Sequence, residues 1–470
     1  MNNLVTILYI LAFAMLIYGL TGLTGPRTAV RGNYFAAVGM GIAVVATLIK
    51  IRDTDNWALI IGGLVLGVLL GVPPALRTKM TAMPQLVAMF NGVGGGTVAL
   101  IAWAEFINSS GFSNLGENPT VHIIIGTLFA AIIGSISFWG SLIAFLKLQE
   151  TLPGRPIGIG KLQQPVNLLL LVASIGCAVV VGVGAGNGGV SQWWIVGVLM
   201  FAAVLGLTAV LPIGGADMPV VISLLNALTG LSAAAAGLAL NNTAMIVAGM
   251  IVGASGTILT NLMAKAMNRS IISVVAGGFG GSGGAAVAGD ASGGTVKSTS
   301  AADAAIQMAY ANQVIVVPGY GMAVAQAQHA VKEMASLLEA KGVEVKYAIH
   351  PVAGRMPGHM NVLLAEAEVS YDVLKEMDDI NSEFARTDVA LVIGANDVTN
   401  PAARNDPSSP IHGMPILNVD QARSVVVLKR SMGSGFAGID NPLFTAGQTS
   451  MLFGDAKKSV GAVTDELKAL

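Results

Sequence analysis

Nine apolar runs follow one another through the first 270 residues of this 470-residue chain. They are Leu4–Leu23, Tyr34–Ile49, Trp57–Val72, Pro84–Ala104, Val121–Phe145, Asn167–Gly184, Trp193–Leu211, Met218–Leu238 and Thr243–Met263, each about 16–25 residues long. An α-helix rises about 1.5 Å per residue, so such a run is close to what crossing the ~30 Å hydrocarbon core of a bilayer requires. One soluble core cannot place nine such helices at its centre, and so few charges separate them that the first half reads as a multi-pass α-helical membrane domain. The second and third runs are short, and little tilt or a partly re-entrant path is expected of them.

The rest of the chain differs in character. Residues 1–270 carry 11 Lys and Arg against 6 Asp and Glu, whereas residues 271–470 carry 14 against 20. The second part has an ordinary soluble composition, so the expected division is 1–270 in the membrane, 271–304 as a linker and 305–470 as a soluble domain. The whole chain is only 11% charged, less than half of the ~25% of soluble domains, which excludes a wholly soluble protein. Its net charge of −1 gives no sign of a nucleic-acid partner, and its single cysteine, Cys177, excludes a disulfide framework or a cysteine metal cluster.

Loop charges orient the bundle. Arg27, Arg31, Arg77, Lys79, Lys147, Arg155, Lys161, Lys265 and Arg269 fall on one side, and only Lys50 and Arg52 on the other. Positive residues favour the cytoplasm, so the N-terminus is expected outside and the soluble domain in the cytoplasm. The start, Met1-Asn2-Asn3, has no basic segment, so the first run is expected to be a retained helix. In the linker, nine glycines fall between Gly277 and Gly294, too many for a stable helix. It reads either as a plain connector or as a hinge.

Gln313–Val317 is a continuous apolar and β-branched run of the kind a buried parallel strand shows. A glycine turn, a helical stretch to about Lys341 and a second strand, Val343–Ile349, follow. Gly319-x-Gly321-x-x-Val324 is a variant of the dinucleotide fingerprint of an α/β Rossmann-like domain. The first glycine makes the turn, and the second brings backbone close to a pyrophosphate at the helix start, with Tyr320 and Ala325 alongside. Val324 in place of a third glycine implies looser packing of helix on strand. Further strands at Val389–Ile393, Ser424–Leu428 and Met451–Phe453 end in Gly394-Ala395-Asn396-Asp397-Val398, Lys429-Arg430-Ser431 and Gly454-Asp455. Ligands of open parallel sheets bind at such carboxyl ends. NADP is expected rather than NAD, because His350-Pro351 leaves no acid after the second strand and Lys429-Arg430 offers paired cations to a 2′-phosphate. A solvated surface pair is the alternative for those two residues.

Long strings in both halves carry a resemblance: Pro212-Ile-Gly-Gly-Ala-Asp217-Met-Pro219, Lys265-Ala-Met-Asn-Arg-Ser270, Val317-Pro-Gly-Tyr-Gly-Met322, His350-Pro-Val-Ala-Gly-Arg-Met-Pro-Gly358, Gly394-Ala-Asn-Asp397 and Lys429-Arg-Ser-Met432. The chain resembles, over essentially its full length, the beta subunits of proton-translocating NAD(P) transhydrogenases. The resemblance implies NADP(H) on this chain and NAD(H) on an alpha subunit or pair of subunits. It also implies direct hydride transfer coupled to inward proton movement, a dimer of alpha-beta units, and a bacterial inner membrane. The family binds NADP in a flipped orientation, which weakens the argument from the missing acid and leaves the one from Lys429-Arg430. It places Arg355 and Met356 in a loop near the cofactor, Asn396-Asp397 at its nicotinamide end, and a lid at Gly435, Phe436 and Ala437; Phe436 stands where many relatives have Tyr. An NADP-gated transporter without redox turnover is the alternative function.

For the proton, Glu105 and Asp217 lie at helix edges and no helix centre holds a charge. Asn91 matches a position that is His in some relatives. Ser223, Asn226 and Gly230 share a face of the eighth helix, and with Asn91 and Gly92, Gly94, Gly95 and Gly96 are expected to line a wet path; close helix packing is the alternative. Asp217 is expected to couple proton release to the NADP loop near Asp397, against an N-cap role for Asp217 and a turn role for Asp397. Hydride moves from carbon to carbon, so no side chain is needed as acid or base in that step.

Overall fold

A computed structural model of the chain describes residues 2–22, 26–79, 82–112, 121–153, 156–185, 190–214, 217–267, 270–271, 295–354, 358–407, 409, 411–433 and 439–470. Their contacts divide into two compact units, the first containing residues 2–260 and the second residues 295–470.

The first unit contains α1 (Asn2–Gly22), α2 (Pro26–Lys50), α3 (Trp57–Arg77), α4 (Met83–Asn108), α5 (Val121–Leu148), α6 (Gln163–Gly184), α7 (Trp193–Val210), α8 (Met218–Ala239) and most of α9 (Thr243–Ala266). All nine are long and apolar enough to cross a bilayer. The second and third runs are not short: α2 has 25 residues and α3 has 21. Helical hydrogen bonding continues past the apolar stretch into polar residues, so α2 takes in Arg31 and Asn33 and α3 runs through Pro73 and Pro74 to Arg77.

Helix α4 packs on α5, α5 on α7 and α8, and α1 on α2. Small residues permit the closest crossing. A Cβ on Gly95 of α4 would lie 2.9 Å from the Gly134 carbonyl oxygen of α5, and one on Gly134 2.7 Å from that of Gly95. Burial of apolar surface does not drive helices together within lipid, so such close packing replaces it. Phe106, Phe112, Ile124, Leu128, Val181, Ile195 and Val198 fill the interior between α4 and α7. Helix α3 has no buried residue, and Leu59, Leu64, Leu69 and Leu76 on it are all exposed.

The second unit begins earlier than residue 305. Ser298 pairs in parallel with Met451, and the Thr299 N–H donates to the Met451 carbonyl at 2.9 Å. Ser300 then caps α10 (Ala301–Ala309) by accepting the Asp303 N–H at 3.1 Å, and Ala304 is fully buried. The expected linker therefore stops short of residue 304: glycine enrichment ends at Gly294, and Ser300 is a helix-start signal. Residues 272–294 lie outside the described residues.

There follow β1 (Gln313–Pro318), α11 (Tyr320–Val324), α12 (Gln328–Ala340), β2 (Glu344–Ile349), α13 (His359–Glu366), β3 (Leu374–Glu376), α14 (Met377–Ile380), β4 (Val389–Ile393), α15 (Ala402–Asn405), β5 (Ser424–Lys429), β6 (Thr449–Phe453) and α16 (Ala456–Ala469). The sheet is parallel throughout, in the order β3-β2-β1-β4-β5-β6. In register, Val316 lies between Tyr347 of β2 and Leu391 of β4. This is the doubly wound order, and its reversal between β1 and β4 opens a crevice at their carboxyl ends. The helix after the glycine turn is not continuous as expected: Gln326, at φ +53°, breaks it into α11 and α12.

Gly394 has φ +64°, and a Cβ there would stand 2.3 Å from the Gly321 Cα. Gly394→Ala is expected to destabilise the second unit by at least ~1–2 kcal/mol, the usual cost of this backbone region for a residue with a side chain. Faster hydrogen exchange in β1 and β4 of the full chain would report it; unchanged protection would refute it.

Candidate functional site

Backbone meets backbone at the crevice. The Gly319 N–H donates to the Ile393 carbonyl and the Gly321 N–H to the Gly394 carbonyl, both at 2.9 Å. A Cβ on Gly319 would lie 2.4 Å from the Ala395 backbone, and one on Gly321 2.6 Å from the Gly394 Cα. Gly321 thus serves the approach of two protein turns, where its N–H is bonded to the Gly394 carbonyl. Val324 is 46% exposed. It does not hold helix off strand, contrary to the packing inferred from its replacing a third glycine. Ala325 donates its N–H back to Gly321, and the Tyr320 ring lies 6.4 Å from that of His359.

The end of β4 is the most polar part of the crevice. Asn441 donates its amide to the Asn396 carbonyl at 3.0 Å and to the Asn396 side-chain oxygen at 3.2 Å. The Asn396 side-chain nitrogen is buried with no hydrogen-bond partner among the described residues. Asp397 opens a short 3-10 turn, and the Val398 carbonyl accepts the Leu417 N–H at 2.9 Å. Half-buried Lys429, at the end of β5, has its ammonium 4.6 Å from the centre of the Phe444 ring. Burial lowers its pKa, while the charges of Asp397 and Asp440 act the other way. Arg430 is exposed and reaches Asp455 at 3.9 Å. Asp455 caps α16 through the N–H groups of Lys457 and Lys458, Gly454 before it has φ +153°, and Ser431 is exposed. The expected contacts at the ends of β1, β4, β5 and β6 therefore lie along one edge of the sheet. Arg355, Met356, Gly435, Phe436 and Ala437 fall outside the described residues.

His350, which in sequence marks only the lack of an acid after the second strand and the start of a shared string, has a structural role. It is 1% exposed; its Nε2 lies 2.8 Å from the Pro415 carbonyl, and its Nδ1 accepts the Val352 N–H at 3.2 Å. An acceptor at Nδ1 fixes the neutral tautomer with hydrogen on Nε2. Burial pulls its pKa down to about 4, with the carbonyl bond opposing. A histidine directly after a buried strand was the available signal.

In the membrane unit, the Asn91 amide donates to Ser141 at 2.9 Å and to Ser137 at 3.3 Å, both on α5. The Ser137 hydroxyl is bonded to that of Thr229 on α8. The polar link from α4 to α8 thus runs through Ser137 and Thr229. Asn226 is exposed and takes no part, Ser223 accepts from Thr260 of α9, and Gly230 abuts Gly253. Ser223, Asn226 and Gly230 therefore face away from Asn91: helical spacing puts them on one side of α8 but cannot say which. The α4 glycines are packing surfaces, with Gly92 against Ser141, Gly95 against Ser137 and Gly96 against the Phe138 ring. Asp217 precedes α8 and makes no side-chain cap bond, while its carbonyl accepts Val220 at 3.1 Å and Val221 at 3.2 Å. Lys147, counted above among loop charges, is buried in the last turn of α5.

A set of membrane helices followed by a doubly wound parallel sheet, with glycine-tight turns and a cationic strand end, defines an integral membrane protein with a dinucleotide-type domain. Comparison with known proteins makes this more specific. The family model for the NAD(P) transhydrogenase beta subunit matches residues 5–466. Two curated relatives named NAD(P) transhydrogenase subunit beta, one from Rhodospirillum rubrum and one from a strain of that organism, are each 48% identical over 460 residues, covering 97% of both chains. The chain belongs to the NAD(P) transhydrogenase beta subunit family, a family of proton-translocating enzymes.

The fixed tautomer of His350 carries a pH signature. Its folded pKa of about 4 lies below the ordinary 6.5. The stabilisation is therefore complete above about pH 6.5 and is lost as pH falls toward 4, up to about 3 kcal/mol. Thermal unfolding of the second unit, followed at pH 7, 5.5 and 4, is expected to weaken across this window, and His350→Asn to flatten the dependence. A mutant profile parallel to the wild type would refute the assignment.

Proposed function

We propose that the second unit holds NADP(H) at the carboxyl ends of β1, β4, β5 and β6, and that hydride exchange with NAD(H) on an alpha-subunit partner is coupled to inward proton movement through the membrane unit. Lys429-Arg430 carries the reading: two adjacent cations end a central strand of the parallel sheet, where a 2′-phosphate distinguishes NADP from NAD. A dianionic phosphate there would oppose the lowering of the Lys429 pKa by burial. The unpartnered Asn396 side-chain nitrogen also fits, as a donor for a carboxamide oxygen. When bound, the two nicotinamides carry the hydride chemistry themselves.

The work of the chain is then placement and charge sensing. Gly319, Gly321 and Gly394 fix the spacing of the two turns, Asn441 holds Asn396, and Lys429 and Arg430 anchor the phosphate. Asp397 registers the charge that separates the oxidised carrier from the reduced one. Arg355, Met356, Gly435, Phe436 and Ala437 complete the enclosure in this reading. In the membrane unit Asp217 is the acid whose protonation follows the redox state of the carrier, and Asn91 with Ser137 and Thr229 orders the polar route between helices. The excess of cationic loops on one side supports an N-terminus outside and a nucleotide domain in the cytoplasm, the membrane being in this reading a bacterial inner membrane. The working assembly is a dimer of alpha-beta units.

Arg430→Ala is expected to weaken NADP(H) binding by roughly 10- to 100-fold, the loss of one or two charge-assisted bonds, without creating affinity for NAD. Isothermal titration of the full chain with both carriers reads this, and equal wild-type affinity for the two would sink the assignment. In vesicles with the alpha partner, Asp217→Asn should reduce protons moved per hydride at least fivefold; full coupling would remove Asp217 from the mechanism.

A further inference from the structure

Among the described residues of the membrane unit, Lys147 is the single buried side chain that carries a charge. Its ammonium donates to the Leu211 carbonyl and, at 2.8 Å, to the Ile213 carbonyl. Leu211 closes α7, whose terminal carbonyls lack helical partners and carry the negative end of the helix dipole. The Leu211 carbonyl also accepts the Ile157 N–H at 3.0 Å, so the α5–α6 connection is tied to the same point. Nearby, Gln163 donates to the Thr208 carbonyl at 2.7 Å and accepts the Ile159 N–H at 3.2 Å. The turn from Leu211 then leads to Asp217, whose N–H donates to the Gly214 carbonyl at 3.2 Å.

Burying an ammonium costs several kcal/mol unless well-placed partners satisfy it. Carbonyls such as those of Leu211 and Ile213 can be bonded as well by an amide side chain, which has no charge to desolvate. A cation here adds what an amide lacks, a fixed positive charge behind the turn that delivers an acid. We propose that Lys147 is a positioning residue for proton coupling: its ammonium pins the α7–α8 turn by the Leu211 and Ile213 carbonyls and thereby sets the placement and electrostatic environment of Asp217. This rests on the reading of Asp217 as the coupling acid.

The test uses the full chain reconstituted in vesicles with its alpha partner. Hydride transfer is measured with an uncoupler present, and protons moved per hydride without one. Lys147→Met and Lys147→Gln are expected to keep uncoupled hydride transfer within twofold while lowering protons per hydride at least fivefold. Lys147→Arg, which keeps the charge and the donors, should retain at least half of the coupling. Unchanged coupling in the Met or Gln variant overturns the proposal, as does an equal loss of transfer and pumping, which marks a merely structural clamp. If neither assembles, loss of coupling in a normally assembled Arg variant overturns it. Asp217→Asn in the same assay separates the two ideas: coupling retained there means the reading of Asp217 has failed, whereas coupling lost there and retained in the Lys147 variants means that only the clamp has failed.

Discussion

Three residues without side chains set the geometry of the nucleotide-type domain. Gly319, Gly321 and Gly394 let the turns after β1 and β4 touch main chain to main chain, and two N–H···O bonds fasten them there. A parallel sheet in this order splays at the same place, because its crossovers leave to opposite faces on either side. The contact limits how far the crevice opens and so where Asn396, Asp397 and Lys429 stand relative to one another. Asn396 and Asp397 follow β4 within a few residues and Lys429 ends β5, so rigid β-structure sets their positions. Asn441 adds a further restraint by holding both the carbonyl and the side-chain oxygen of Asn396.

The membrane unit solves a different problem with related means. Lipid offers no hydrogen bonds, so each backbone polar group must be satisfied within its own helix. What remains for helix recognition is shape and the occasional hydroxyl. Gly95 against Gly134 supplies the first, and Asn91 with Ser137, Ser141 and Thr229 supplies the second. Among the described residues of this unit, the one buried charge is placed where helix α7 runs out of partners for its carbonyls. Polar side chains among the described residues thus serve helix ends and helix-to-helix links, the Ser223–Thr260 pair of α8 and α9 among them.

The elements with strong periodicity were legible from the sequence. β4 matches its expected range, Val389–Ile393, because a continuous apolar run between polar turns admits little else. β3 was not legible, because Leu374-Lys375-Glu376 has only one apolar residue and owes its pairing to the edge of β2. Several membrane helices, α2 and α3 among them, extend beyond their apolar runs, since hydropathy stops where the lipid stops and the backbone does not, whereas α7 ends one residue inside its run. Asn226 shows a further limit. Spacing assigns a residue to a helix face, and only tertiary packing says what the face meets. An ammonium near a helix end looks in sequence like a loop charge, and the fold turns that of Lys147 inward. The role of His350 depends on two partners, Pro415 and Val352, one of which is 65 residues away and so leaves no local signature.

Helix α3 differs from its neighbours in having no side chain withdrawn from its surroundings. Its 21 residues extend roughly 31 Å, about the thickness of the hydrocarbon layer. With so little grip from the rest of this chain, hydrophobic mismatch weighs more on its tilt than on that of α4 or α5. Thicker or thinner membranes should therefore reorient this one segment first, leaving the tightly crossed pair α4 and α5 unmoved.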